Sequence, residues 1–242
     1  MIRHQKMLSP MNSLNKSDLL QWIKNSLRTR SNILAHGNQG HVYLYEVNGH
    51  RLIVKTPGGR GLGEYIRRAM LRNEYRAYSR LSGVSGIPSC YGLLDGRYLV
   101  LECIDGIPAR KAPIEDRAMF FESLLGLIKE LHKAGVAHGD LKKKDNVFVV
   151  NARTPYILDF GVAIVKKPGF GPLNHHLYDL ARQFDFNAWV KLKYNGKLKK
   201  VSNEDRTYYH RTAVEKVSGW IKRGYLKLKK RAKVDRHVYG SL

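Results

Sequence analysis

Two cysteines in 242 residues, Cys90 and Cys103, give no disulfide framework, and they do not stand at metal-ligand spacing. Cys103 lies in an apolar run and reads as a small core residue, so a reducing, cytoplasmic setting is expected. Long apolar runs are missing too. No stretch approaches the ~20 residues that span a bilayer, and the basic start, Met1 to Pro10, has no apolar segment behind it to make a secretory leader. Acidic residues are scarce: 20 Asp and Glu face 43 Lys and Arg, a formal net charge of +23. Such a field draws in polyanions, whether nucleic acid, anionic lipid headgroups or a phosphorylated glycolipid, and says nothing about fold.

A composition that is 43% hydrophobic and 10% aromatic supports a folded core. Ser17 is placed to cap a short amphipathic helix carrying Leu19, Leu20, Ile23 and Leu27 on one stripe. The period then changes to that of strands. Val42–Tyr45 and Leu52–Val54 flank Asn48-Gly49, a hairpin signal. A glycine-rich break over Pro57–Gly63 precedes a predicted helix over 64–81, and a second hairpin joins Ile87–Leu94 to Tyr98–Cys103 through Asp95-Gly96. Beyond Gly106 and Pro108 a long helix is predicted over 116–133, with Phe120, Phe121, Leu124, Leu127, Ile128 and Leu131 turned inward. Two short apolar runs, Val147–Val150 and Tyr156–Leu158, bracket a turn, and from about Asn174 the pattern is helical and increasingly basic. Strands first and helices after is an α+β layout, with a boundary near Ile104–Pro108.

The chemistry concentrates in His138-Gly-Asp-Leu-Lys142, followed by Asn146, an apolar strand and Leu158-Asp-Phe-Gly161. Phosphoryl transfer to a hydroxyl needs a carboxylate to take the acceptor's proton, oxygen ligands for a divalent metal, and positive charge on the transferring group. Asp140 suits the first, Asp159 and Asn146 the second, Lys142 and Lys55 the third. This block resembles the catalytic loop and metal-binding turn of the protein-kinase superfamily. The resemblance implies a bilobal protein-kinase-like fold, with a small β-rich N-lobe, a truncated helical C-lobe, and ATP with Mg²⁺ or Mn²⁺ as cofactors. The expected division is a leader and short helix over 1–32, the N-lobe over 33–104, the C-lobe over 105–207 and a basic amphipathic segment over 208–242.

The match has departures. Five residues after Asp140, where the family places its Asn, stands Asp145; Asn146 comes one later, directly before the apolar strand, so the Lys142–Lys144 loop reads as one residue longer and metal binding is assigned to Asn146, with Asp145 the alternative. Gly139 replaces the Arg of many regulated kinases, which removes a partner for a phosphorylated activation loop. Gly37, Gly40 and Val42 resemble the glycine-rich phosphate loop, with Ala35 in place of its first glycine. Lys55 ends an apolar strand and needs an acidic partner; the resemblance implies Glu74, with Glu64 as competitor. Glu102 and Ile104 resemble the hinge whose backbone holds adenine. Asp179 resembles the aspartate that braces the catalytic loop, though a surface position on a helix fits it equally.

No Ala-Pro-Glu motif follows Gly161, which points to the atypical branches. The tail, from Tyr208 to Val234, sets Val214, Val217, Trp220, Ile221 and Leu228 among many lysines and arginines, a pattern suited to an anionic membrane surface. It also resembles the end of bacterial lipopolysaccharide-core (Kdo/heptose) kinases. That likeness implies a lipid-linked anionic glycan as acceptor, at the cytoplasmic face of the inner membrane. The alternative is a RIO-like Ser/Thr protein kinase, for which the basic charge would serve contact with nucleic acid or the ribosome. Aminoglycoside phosphotransferases share His-Gly-Asp-Leu, but a basic protein is ill matched to cationic substrates.

Overall fold

The structure, a computed structural model, describes residues 15–37, 40–47, 49–59 and 61–211. The basic tail beyond residue 211 and residues 1–14 of the expected leader therefore lie outside the described residues. The first helix, α1 (Lys16–Thr29), starts two residues earlier than Ser17 suggested. Its cap is Asn15, whose side-chain oxygen accepts the Ser17 N–H at 3.0 Å.

Five strands follow around one helix: β1 (Ile33–Gly37), β2 (Gly40–Val47), β3 (His50–Pro57), α2 (Gly61–Arg80), β4 (Cys90–Leu94) and β5 (Tyr98–Glu102). They form one antiparallel sheet in the order β1-β2-β3-β5-β4. Strand alternation gives this sheet two faces. Tyr43, Tyr45, Leu52, Val54, Tyr98 and Val100 make one buried cluster with Leu19 and Ile23 of α1, and Trp22 meets Tyr45 edge to face at 5.0 Å. α1 thus closes the outer face of the sheet and belongs to its packing. On the other face the register aligns Ala35, Val42, Lys55 and Leu99 in one row across four strands.

The helix α2 begins three residues before the predicted start, inside the glycine-rich stretch, with Glu64 in its first turn where a carboxylate suits the helix dipole. It buries Leu71, Glu74, Ala77 and Tyr78. Beyond β5 come β6 (Ile107–Pro108), α3 (Arg117–Lys133), β7 (Val136–Ala137), β8 (Val147–Val150), β9 (Thr154–Ile157), β10 (Ile164–Val165), α4 (Pro172–Lys193) and the single turn α5 (Asn203–Arg206). Asp116 caps α3 by accepting the Met119 N–H at 2.9 Å. Strands β6, β8 and β9 form a three-stranded sheet, and β7 pairs with β10. A core of Leu71, Tyr78, Leu99, Phe120, Leu124, Ile128, Val147, Phe160 and Trp189 runs from the first sheet through α2 into the helical lobe. Burying side chains of this size contributes about 1.5–3 kcal/mol each. The protein has the α+β, bilobal protein-kinase-like fold. Among the described residues no helix is long and apolar enough to cross a membrane.

Candidate active site

The site lies where the sheet, α2 and the loops around β8 and β9 meet. Lys55, near the end of β3, sends its Nζ to Glu74 Oε1 at 2.6 Å and to Asp159 Oδ1 at 2.8 Å. Glu74 is fully buried on α2, whereas Asp159 keeps about a third of its side chain exposed. Burial alone would drive the Lys55 ammonium down, but the two carboxylates outweigh it and hold the lysine charged, above its ordinary value. Burial likewise pushes the Asp159 carboxyl up, and the Lys55 charge more than offsets that, so it stays below the usual carboxylate range. Burial pushes Glu74 upward against the pull of Lys55. Glu64, the competing partner, turns instead to Arg68 and Arg97, at 2.7 Å from each.

Asp159 has a left-handed backbone, φ +66, a strained value for a residue with a side chain. Its N–H meets the Tyr78 hydroxyl at 3.3 Å. Phe160 is buried against Tyr78 at 4.9 Å, edge to face, and against His138 at 4.9 Å. His138 accepts the Asp140 N–H on Nδ1 at 3.2 Å, so its Nε2 carries the proton and donates to the Leu158 carbonyl at 2.9 Å. One imidazole therefore ties the Asp140 loop to the segment carrying Asp159.

Asn146 sits in a 3₁₀ turn, Lys144–Asn146, and is buried. Its side-chain NH₂ donates to the Asp140 backbone carbonyl at 3.1 Å, and its backbone carbonyl accepts the Leu158 N–H at 2.9 Å. Asp145 points away and pairs with Arg110. Of the loop lysines, Lys142 is exposed and makes no ion pair with a described residue, whereas Lys143 Nζ lies 3.9 Å from Asp159 Oδ2. Lys143 is thus a further lysine at the site, one position past the expected Lys142.

For Asp179, the structure takes the surface position that the sequence left equally open. Asp179 is exposed and pairs with Arg182 on its own helix at 3.4 Å. The buried carboxylate is Asp185, also on α4. Its Oδ1 accepts the Gly139 N–H at 2.8 Å, and its Oδ2 accepts the His138 N–H at 2.8 Å and meets His132 Nε2 at 3.0 Å. Helical spacing carried the signal, because Tyr178, Ala181, Asp185 and Ala188 fall on the buried face of α4.

Over the site, Gly37 and Gly40 face each other at the end of the β1–β2 hairpin; its tip, residues 38–39, lies outside the described residues. A Cβ on Gly40 would stand 1.9 Å from the Thr56 carbonyl oxygen, so only glycine lets these strands approach. Val42 lies beside Lys55 in register. Glu102 ends β5, with its carboxylate accepting the Ser89 N–H at 2.9 Å, and Ile104 follows in the connection to β6. Asp159 and Asn146 supply hard oxygen donors, a set suited to Mg²⁺ or Mn²⁺. The Asn146 amide oxygen accepts no hydrogen bond from a described residue.

No family model matches the chain. Over 143 residues, 56% of its length, it is 33% identical to a probable bifunctional tRNA threonylcarbamoyladenosine biosynthesis protein of Methanosarcina barkeri, covering 25% of that protein. Over 107 residues, 38% of its length, it is 31% identical to casein kinase I homolog 1 of Schizosaccharomyces pombe, covering 24% of that protein. The chain spans about a quarter of the length of these curated relatives.

Proposed function

We propose that this chain is an ATP-dependent phosphotransferase that acts on a hydroxyl acceptor. The observation that carries the reading is the Lys55 ammonium held between Glu74 and Asp159 at 2.6 and 2.8 Å, which joins α2 and the β9–β10 segment in one charged cluster. In this reading Gly37, Gly40 and Val42 cover the nucleotide, and the backbone at Glu102 and Ile104 receives adenine. Lys55 and Lys143 face the phosphates. Asp159 and Asn146 hold Mg²⁺ or Mn²⁺, which neutralises phosphate charge when bound.

Asp140 orients the acceptor and takes its proton. As the acceptor oxygen bonds to the γ-phosphorus, the bond from that phosphorus to the bridging oxygen breaks, and ADP leaves with the electron pair. Asp185 acts through backbone: by fixing the N–H groups of His138 and Gly139 it sets where the Asp140 side chain begins. Positioning of this kind is the main means of accelerating phosphoryl transfer.

For the acceptor, the likeness to casein kinase I homolog 1 favours a Ser or Thr hydroxyl of a protein. The lipid-linked glycan at a membrane rests on the tail, outside the described residues, and is the second reading. Incubating the chain with labelled ATP, Mg²⁺ and either casein or purified lipopolysaccharide core distinguishes them. Labelling of casein that disappears in Asp140→Asn supports the first reading, and labelling of the glycolipid alone supports the second. Absence of ATP turnover with both Mg²⁺ and Mn²⁺ would overturn the phosphotransferase itself.

A further inference from the structure

On the helical lobe, two clefts join where the end of α3 meets β10 and the start of α4. One, of about 440 Å³, is lined by Lys129, Lys133, Lys166 and Arg182 above His132 and Tyr178. The other, of about 340 Å³, adds Arg80 and Lys167 and shares Lys133, Gly135 and Lys166 with the first. Six cations from α2, α3, α4 and the residues just after β10 therefore line two adjoining clefts, and no acidic side chain lines either half. Three acids touch the lining from outside: Glu130 lies 3.9 Å from Lys133, Asp179 3.4 Å from Arg182, and the buried Asp185 3.0 Å from His132.

Gly135 is the hub, with φ +76. A Cβ there would lie 2.8 Å from an Arg80 guanidinium nitrogen and 3.7 Å from Lys166 Cβ. The cations are also held in place: the Lys166 and Arg182 heads lie over the Tyr178 ring at 5.5 and 5.7 Å, and the Lys166 N–H donates to the Gly135 carbonyl at 2.8 Å. At the floor, the His132 side chain is 4% exposed. Its Nε2 meets Asp185 at 3.0 Å, and its buried Nδ1 has no hydrogen-bond partner among the described residues.

We propose that this groove binds the phosphodiester backbone of a nucleic-acid strand, at a site separate from the proposed phosphotransferase centre. Repeated cations along an open, two-part groove suit a polymer with regularly spaced charge better than a single phosphate. A bilayer surface is flat and does not enter a concave cleft, so the lipid reading fits these residues poorly. The chain's excess of 43 basic over 20 acidic residues adds the long-range attraction.

The test uses the full chain, a labelled 20-nucleotide RNA or DNA strand, and anisotropy over a salt series. Lys133→Glu with Lys166→Glu is compared with Lys24→Glu with Arg28→Glu on α1, which changes net charge equally. Expected are at least a tenfold weaker affinity for the groove pair and a log Kd–log salt slope smaller by about 1.5, with less than a threefold change for the α1 pair. ATP turnover and melting temperature of each variant report whether it is folded, and Lys133→Gln with Lys166→Gln repeats the test if the reversal fails to fold. Equal loss in both pairs, or unchanged binding in the groove pair, overturns the proposal. So does wild-type binding to phosphatidylglycerol vesicles or to a phosphopeptide with none to nucleic acid.

Discussion

The Asp185 carboxylate holds the backbone N–H of Gly139 at 2.8 Å, across 46 residues of chain. It receives the His138 N–H and pairs with His132 as well. Replacing Asp185 with Ala leaves two buried N–H groups and an imidazole unpaired, a loss on the order of 3–5 kcal/mol. Asp185→Ala is expected to lower the melting temperature and to cut kcat at least tenfold even where it remains folded. Asp179→Ala, at the exposed position on the same helix, is expected to leave both unchanged. Thermal melts with steady-state ATP turnover make the comparison.

Lys55→Met removes the charge that Glu74 and Asp159 share. Turnover is expected to fall by about 10²–10³, the scale of losing one preorganised donor at a charged transition state. Glu74→Gln should lose less, and Glu64→Gln should stay within twofold of the parent, because Glu64 serves Arg68 and Arg97. Initial rates at saturating ATP separate the three variants.

Asn146 and Asp145 differ in their reach to the Asp140 loop. Asn146→Ala is expected to weaken the Mg²⁺ dependence of turnover at least tenfold, whereas Asp145→Ala loses only an exposed pair with Arg110. A metal titration of initial rate decides it, and equal shifts in both variants would remove Asn146 from its assigned role.

The two loop lysines give a similar contrast. Lys143→Ala is expected to raise KM for ATP or lower kcat by about tenfold, since its ammonium stands 3.9 Å from Asp159. Lys142→Ala, in an exposed position, is expected to have a smaller effect. A larger effect at Lys142 would place that lysine on the bound phosphates instead.

Acid stability follows from Asp159. Its folded value lies below the ordinary 3.8, so its contribution is present above that pH and is lost as pH falls through the folded value. Asp159→Asn should therefore flatten the acid limb of a melting-temperature profile below about pH 4. An unchanged acid limb would show that the Lys55 pair does not set it.

Most of the residues that the structure gathers at the proposed site are singled out in the sequence, because the proposed chemistry constrains residue type and order together. Asp140 and Asp159 flank a hairpin, and Lys55 needed a buried partner that Glu74 provides. The sequence was less informative where geometry, not residue type, decides. Asp179 stands in a more motif-like context than Asp185, yet only Asp185 falls on the apolar stripe of α4. The approach of Lys143 to Asp159, one position past Lys142, is likewise something that spacing alone does not reveal. The placement of α1 was hidden for a different reason: the alternation of β2 and β3 shows that both sheet faces need cover, but not which helix covers which face.

Lys55 pairs with Glu74 and Phe160 packs edge to face on Tyr78, which ties β3, α2 and the segment after β9 into one arrangement. Nucleotide that binds this one arrangement draws on no minor conformer. In kinetic terms, nucleotide binding is expected to be a single exponential whose rate rises linearly with ATP concentration, and product should accumulate from the moment of mixing without a lag.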